Sequence, residues 1–281
     1  MNTIPGEYRQ VVAQALERSG PNRPEIELAL NQPGSEVREA MAFLVAYMPA
    51  KDLRSLSADY LARNVELALQ ARAEAPWSNQ TPAEVFLNEV LPYAVLNEAR
   101  DEWRQFLHDR FRPLVSACDS PGVAALRLNP AIFAELKVQY HPTLRPRTNQ
   151  TPAESTAAGY ASCTGLSILL IDTCRALGIP ARAAGTPLWA DLGGQVSSAR
   201  DGNHTWVEIW DQGWHYLGAW EESPLDETWF TPKAAAADDS QPQHRIYASS
   251  WRKTGLSFMM AWDLDDYSVN ALNVTSFYKR R

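Results

Sequence analysis

Residues 159–182 have the sequence GYASCTGLSILLIDTCRALGIPAR, and this segment carries the strongest structural signal in the chain. Apolar residues recur every three to four positions from Leu166 to Leu177, which predicts a helix with one buried face. Gly178 follows where a left-handed residue commonly closes a helix, and the next four residues, Ile-Pro-Ala-Arg, favour an extended run. Cys163 is therefore predicted to lie in the first turn of a buried helix.

A cysteine at that position has a specific chemistry. The partial positive charge of a helix N-terminus favours thiolate over thiol, and the free backbone N–H groups there can hold an oxyanion. Cys174 lies on the apolar face, about three turns further along, and is predicted to be an inert core residue, while Cys118 is predicted to be incidental. Three cysteines without a C-x-x-C pair support neither a disulfide framework nor a zinc ribbon. The sequence accordingly predicts no metal and no cofactor.

A β-hairpin is predicted downstream. The segment TWVEIW, residues 205–210, alternates as a half-buried strand does, a turn follows, and WHYL, residues 214–217, returns as a second strand. A cysteine nucleophile needs a base, and His204 at the start of the first strand is predicted to supply it. A metal site built from His204, His215 and a cysteine is disfavoured, because the two histidines fall on different arms of the hairpin at mismatched positions.

The segment from Cys163 to Arg182, followed by the His-x-Trp-x-Glu strand at His204, resembles the core of the transglutaminase-like superfamily. The resemblance covers roughly residues 151–230 and implies a papain-like fold, with the cysteine on a helix and a histidine and then an aspartate on adjacent strands. It also implies a cysteine-dependent acyl-transfer enzyme, either a peptide or amide hydrolase such as a protease or a transglutaminase-like acyltransferase, that forms a thioester on a peptide or protein substrate.

The resemblance further points to a bacterial branch of the superfamily whose members tend to be exported, which favours a periplasmic or secreted location. The first ten residues nevertheless have neither a basic nor an apolar region of the kind that forms a signal peptide. The sequence therefore does not decide the location.

The third catalytic residue departs from the family pattern, because the count from Trp214 places the family aspartate at Gly218. A two-residue turn in the hairpin would set Glu221 opposite His204, so Glu221 is predicted to orient the imidazole. A three-residue turn would instead leave Glu222 diagonal to the histidine and makes Glu222 the second choice. The missing aspartate also favours the alternative function, a catalytically silent domain that serves as a binding or assembly module.

The remaining site residues follow from acyl-transfer chemistry. The backbone N–H of Cys163 is predicted to be one oxyanion donor, and Tyr160, Asn149 and Gln150 are unranked candidates for the second. Aromatic side chains crowd the same region and would suit a groove for a peptide or a glutaminyl side chain. The residues predicted to bind substrate are Tyr160, Trp206 and Trp220.

Composition and patterning set the wider organisation. The chain has 281 residues, of which 45% are hydrophobic, with a formal net charge of −7 that argues against nucleic acid as a partner. No apolar run is long enough to span a membrane. The predicted fold class is α+β, with a helical region over residues 1–148 and, over 149–281, a core in which the nucleophile helix packs on an antiparallel sheet with a C-terminal β extension. The oligomeric state is left open.

A hexapeptide, Asn-Gln-Thr-Pro-Ala-Glu, occurs twice, at residues 79–84 and 149–154. Each copy has a Thr as N-cap, a Pro at the first helical position and a Glu three residues after the Thr. Both copies are therefore predicted to start helices with capping boxes.

Overall fold

The computed structural model describes residues 4–190 and 202–280 and confirms the predicted α+β class, with a helical N-terminal region and a five-stranded antiparallel sheet. None of the described helices is long and apolar enough to cross a membrane. The described α-helices are α1 (Arg9–Arg18), α2 (Arg23–Leu30), α3 (Ser35–Tyr47), α4 (Ala50–Leu53), α5 (Ala58–Glu74), α6 (Ala83–Glu89), α7 (Trp103–Val115), α8 (Pro121–Leu136), α9 (Pro152–Ala158), α10 (Cys163–Ala176), α11 (Thr231–Ala235) and α12 (Thr275–Tyr278).

The main sheet has the strand order β5-β4-β3-β6-β7, and every neighbouring pair in it is antiparallel. Strands β1 and β2 form a separate, short parallel pair beside the start of α10. The described strands are β1 (Gln139–Tyr140), β2 (Tyr160–Ala161), β3 (Ala181–Thr186), β4 (His204–Trp210), β5 (Trp214–Leu217), β6 (Tyr247–Ser250) and β7 (Asn270–Asn273).

Side-chain alternation along the strands gives the sheet two different faces. Ala183, Val207 and Ile209 point into the cluster that contains the apolar face of α10 and the inner faces of α7 and α8. Trp206 and Tyr216 point the other way, into an aromatic cluster on the opposite face. Helix α10 is thus buried between the sheet and a helical layer, which is why all of its residues after Cys163 are buried.

Local sequence signals explain where α10 and its neighbour begin and end. Thr151 caps α9 with a complete capping box, as predicted. The copy at Thr81 has no side-chain cap bond, because a 3₁₀ turn over Ser78–Gln80 precedes it and α6 starts one residue later, after Pro82. Gly178 has φ +73°, and a Cβ there would lie 2.7 Å from a backbone oxygen of α5, so this C-terminal position requires glycine.

Between α6 and α7, over residues 90–102, the chain leaves helical conformation. The buried carbonyls of this irregular segment are satisfied by arginine instead. Arg104 Nη2 donates to the carbonyls of Val90, Leu91 and Pro92, and Arg175 Nη1 on α10 donates to that of Ala94 at 2.7 Å. The bond from Arg175 ties α10 to the helical region.

The predicted division between residues 148 and 149 stays a prediction. The largest buried cluster contains side chains from both sides of it, including Leu107 of α7 and Leu169 of α10. A second cluster is formed almost wholly by residues 4–94, with Trp251 as its contribution from the C-terminal region.

Candidate active site

Cys163 is the first residue of α10, as the sequence predicted. The first helical hydrogen bond runs from the Leu166 N–H to the Ser162 carbonyl, so the N–H groups before Leu166 have no partner within the helix. Ser162 is held in turn by a 3.2 Å bond from its hydroxyl to the carbonyl of Thr148. Cys163 is partly exposed, whereas Cys118 and Cys174 are buried, so Cys163 is the accessible thiol of the three.

Two side-chain bonds fix the start of α10 to strand β4. The Thr164 hydroxyl is 3.1 Å from the Thr205 hydroxyl, and the Ser167 hydroxyl donates to the Thr205 carbonyl at 3.2 Å. Gly185 on β3 packs so closely that a Cβ there would lie 2.8 Å from the carbonyl oxygen of His204. Helix α10, which carries Cys163, and strand β4, which carries His204, are therefore held together by direct hydrogen bonds.

A cavity of about 580 Å³ opens where these elements meet. Both Cys163 and His204 line it, and Glu221 lines the same space from the segment that follows β5. The other lining residues are Tyr140, Pro142, Arg145, Thr148, Ser162, Thr164, Leu166, Trp189, Asn203, Ala219, Trp220, Trp229 and Lys233.

The thiol of Cys163 is held in its neutral form. Burial raises its pKa above 9.0, and this effect outweighs the hydrogen bond from the Thr205 backbone, those from Thr164 and the positive charge of Arg145, all of which lower it. Desolvation of the sulfur therefore outweighs the effects that favour the thiolate.

His204 is neutral as well, since burial lowers the pKa of its imidazole to about 3. Its ring centroid lies 4.9 Å from that of Trp229, 5.0 Å from that of Phe230 and 5.8 Å from that of Trp206. Its Nε2 atom is buried without a hydrogen-bond partner among the described residues. Cys163 and His204 line the same cavity in their neutral forms, so a proton would pass from the thiol to the imidazole during attack rather than before it.

The hairpin has a three-residue turn, with Trp210 paired to Trp214 and Val207 paired to Leu217. The register that would set Glu221 opposite His204 is therefore wrong, and β5 ends before either glutamate joins the ladder. Continuing the observed register would place position 218 opposite Trp206, on the face of the sheet that carries His204. This is the position at which the family pattern expects an aspartate.

Glu221 reaches that position by folding back. A Cβ on Gly218 would lie 2.2 Å from the Glu221 carboxyl carbon and 2.4 Å from both of its oxygens, so the Glu221 carboxyl group occupies the space of a side chain at 218. One oxygen accepts a 2.8 Å hydrogen bond from the Trp229 indole N–H. Burial raises the pKa of Glu221, and the bond from Trp229 opposes this rise. Glu222 is exposed and does not line the cavity.

Of the three residues predicted to bind substrate, one lines the cavity and two do not. Trp220 lines the cavity and is 51% exposed. Trp206 is fully buried and donates its indole N–H to the Tyr278 hydroxyl at 2.7 Å, so it is a core residue. Tyr160 lies on β2 against the ring of His141 and is not among the lining residues.

The proposed second oxyanion donors do not reach the cavity either. Asn149 bonds to Asn97, and the Gln150 amide donates to the Tyr160 carbonyl. Several lining residues that come from loops, short elements and α11 have no recognisable sequence motif and were not predicted. Among them are Tyr140, Arg145, Trp229 and Lys233.

Among the described residues there is no group of three or more histidine, cysteine or carboxylate side chains that could hold a metal ion. His215, the other hairpin histidine, has its Nδ1 atom 2.7 Å from a carboxylate oxygen of Asp226 and is outside the cavity.

The site thus places a cysteine at the start of a buried helix and a histidine on an adjacent strand, with both side chains lining one cavity. Residues 110–219 match the family model of the transglutaminase-like superfamily. The matched segment includes Cys163, His204 and Gly218 and ends two residues before Glu221. No curated protein and no solved structure matches the chain.

Proposed function

We propose that the protein is a cysteine-dependent acyl-transfer enzyme that acts on peptide-type amides. The observation that supports this most strongly is the shared cavity, which presents the accessible thiol of Cys163, the imidazole of His204 and the carboxyl group of Glu221 to one space. A nucleophile, a base and a carboxylate around one cavity match the requirements of acyl transfer.

In the proposed reaction Cys163 Sγ attacks the amide carbonyl carbon while His204 takes the thiol proton. The negative charge on the carbonyl oxygen is stabilised by backbone N–H groups of the first turn of α10. The C–N bond then breaks, His204 gives its proton to the leaving amine, and a thioester remains on Cys163. Attack by water completes a hydrolysis and attack by a second amine completes a transamidation, and both routes use the same three residues.

Glu221 is proposed as the residue that stabilises the imidazolium of His204. Its carboxyl group fills the space of a side chain at position 218, on the sheet face that carries the histidine. A carboxylate there stabilises the positive charge that His204 gains during attack. Gly218 and Glu221 together thus provide what an aspartate at 218 provides in the family pattern.

The proposed substrate is a peptide or protein. The cavity is large enough for an amino-acid side chain and its flanking peptide bonds, and it is walled by exposed aromatic side chains, those of Trp220 and Trp229. Trp206 and Tyr160 are left out of this proposal because they do not line the cavity.

A catalytically silent binding or assembly module is the second candidate. The observation that favours it is the buried Nε2 atom of His204, which has no partner in the described part of the chain while Glu221 is bonded to Trp229. Catalytic hydrogen bonds often form only when substrate is bound, so this geometry is compatible with either function.

Labelling with a peptidyl acyloxymethyl ketone, an electrophile that mimics a peptide amide, separates the two functions. The enzyme proposal predicts selective modification of Cys163, located by peptide mass spectrometry, and its loss in His204→Ala. His215→Ala is the matched control, since that histidine lies in the same hairpin but outside the cavity. Equal, slow labelling of Cys163 in the wild type and in His204→Ala would refute the enzyme proposal and leave the silent module.

A further inference from the structure

Trp229 makes two contacts that concern the catalytic residues. Its indole N–H donates to Glu221 at 2.8 Å, and its ring lies 4.9 Å from the imidazole of His204, measured between ring centroids. The same residue therefore touches the carboxylate and the base that the proposed mechanism pairs with each other.

While Trp229 holds the Glu221 carboxylate, the imidazole of His204 has a buried nitrogen without a hydrogen bond in the described part of the chain. A buried nitrogen without a partner carries a desolvation penalty of about 1–3 kcal/mol, and His204 Nε2 is such an atom among the described residues. The carboxylate that could accept from it is bonded to the neighbouring indole. The side chain of Trp229 is 57% exposed, so it can move without breaking up a core.

We propose that Trp229 is a positioning residue that competes with His204 for the carboxylate of Glu221. In the described arrangement the indole holds the carboxylate, and the imidazole lacks a charged partner. When Trp229 moves aside, Glu221 accepts a hydrogen bond from His204, and the imidazole becomes a stronger base for Cys163. This inference rests on the proposed function, because it concerns the same three residues.

The competition between Trp229 and His204 for Glu221 can be followed through the ionisation of the groups in the cavity. Besides His204, the ionisable groups that line the cavity are Cys163, Glu221, Tyr140, Arg145 and Lys233. Pairing with Glu221 would favour the imidazolium of His204, and an imidazolium beside Cys163 would favour the thiolate. The pH dependence of Cys163 alkylation therefore reports on the contact between Glu221 and His204.

The test compares Trp229→Phe, which keeps a ring and removes the indole N–H, with the wild type. The rate of Cys163 alkylation by iodoacetamide is measured against pH, and the midpoint is expected to fall by about one pH unit in Trp229→Phe. The double variant Trp229→Phe with Glu221→Gln should return to the wild-type midpoint. Trp262→Phe is the matched control, because Trp262 lies outside the cavity and its buried indole N–H has no partner among the described residues.

An unchanged midpoint in Trp229→Phe would overturn the proposal, and so would a lowered midpoint that persists in the double variant. ¹⁵N NMR of His204 in the same proteins gives an independent reading, since only pairing with Glu221 moves its titration towards neutral pH. If peptidyl-probe labelling still depends on His204 while the Trp229→Phe midpoint is unchanged, the proposed function stands and only the role of Trp229 fails. If labelling does not depend on His204, the proposed function fails.

Discussion

Replacing Gly218 by alanine tests the role of Glu221 without altering Glu221 itself. The new Cβ would lie 2.2 Å from the Glu221 carboxyl carbon, whereas ordinary van der Waals contact begins at 3.4 Å. The carboxyl group must therefore move by more than an ångström, and as the end of a flexible side chain it can turn away while the fold is kept. Gly218→Ala should thus act as a selective displacement of the carboxylate.

A displacement of this size at a catalytic group lowers rates by about 10²-fold, which is about 2.7 kcal/mol in the activation barrier. The expected result is a drop of that order in the second-order rate of Cys163 labelling by the peptidyl acyloxymethyl ketone, with a similar drop in Glu221→Gln. The double variant Gly218→Asp with Glu221→Gln should recover much of the rate, because it restores the aspartate of the family pattern at 218.

Gly213→Ala is the matched control for Gly218→Ala. It introduces the same methyl group in the same hairpin, at a position where a Cβ meets nothing within 4 Å. The role of Glu221 would be refuted if thermal unfolding shows that Gly218→Ala is folded and the variant labels within about twofold of the wild-type rate. For scale, a tenfold change in rate corresponds to about 1.36 kcal/mol in the activation barrier. An equal loss in Gly213→Ala would show that the effect is not specific to the carboxylate.

Two further predictions concern stability. Burial raises the pKa of Glu89 from 4.5 to about 7, so its neutral form favours the folded state. This contribution is full below pH 4.5 and is lost as pH rises through 7. Glu89→Gln should remove up to about 3 kcal/mol of this pH dependence in denaturant unfolding, and an unchanged pH profile would contradict the assignment. Tyr278→Phe removes a 2.6 Å bond to Glu208 and a 2.7 Å bond from Trp206. It should lower the free energy of unfolding by about 2–4 kcal/mol, whereas Tyr267→Phe, at an exposed position, should change it by less than about 0.5 kcal/mol. Equal unfolding midpoints for the two tyrosine variants would refute the importance of the buried hydroxyl.

The elements with strong local signals were predictable from sequence. The apolar periodicity of residues 166–177 and the glycine at 178 located α10 and placed Cys163 at its start, as the structure confirms. The alternation that begins at Thr205 located β4 and the hairpin in the same way. In each case the local pattern and the tertiary packing favour the same conformation.

The geometry of the site was less predictable, because it depends on long-range contacts. Hairpin register changes with one residue of turn length, and the turn proved to have three residues rather than two. The contact of the Glu221 carboxyl group with Gly218 and the hydrogen bond from Trp229 to Glu221 are made within a segment that has no regular secondary structure. The pKa of Cys163 is governed by burial, which a helix-start pattern does not reveal.

The proposed thioester on Cys163 is tested most directly by trapping it. The protein is mixed with a pool of glutamine- and lysine-containing peptides, quenched in acid and examined by intact-protein and peptide mass spectrometry. The proposed function predicts an acyl adduct on Cys163 that hydroxylamine removes and that His204→Ala does not form. The absence of any hydroxylamine-sensitive adduct on Cys163, or its equal formation in His204→Ala, would contradict the proposed function.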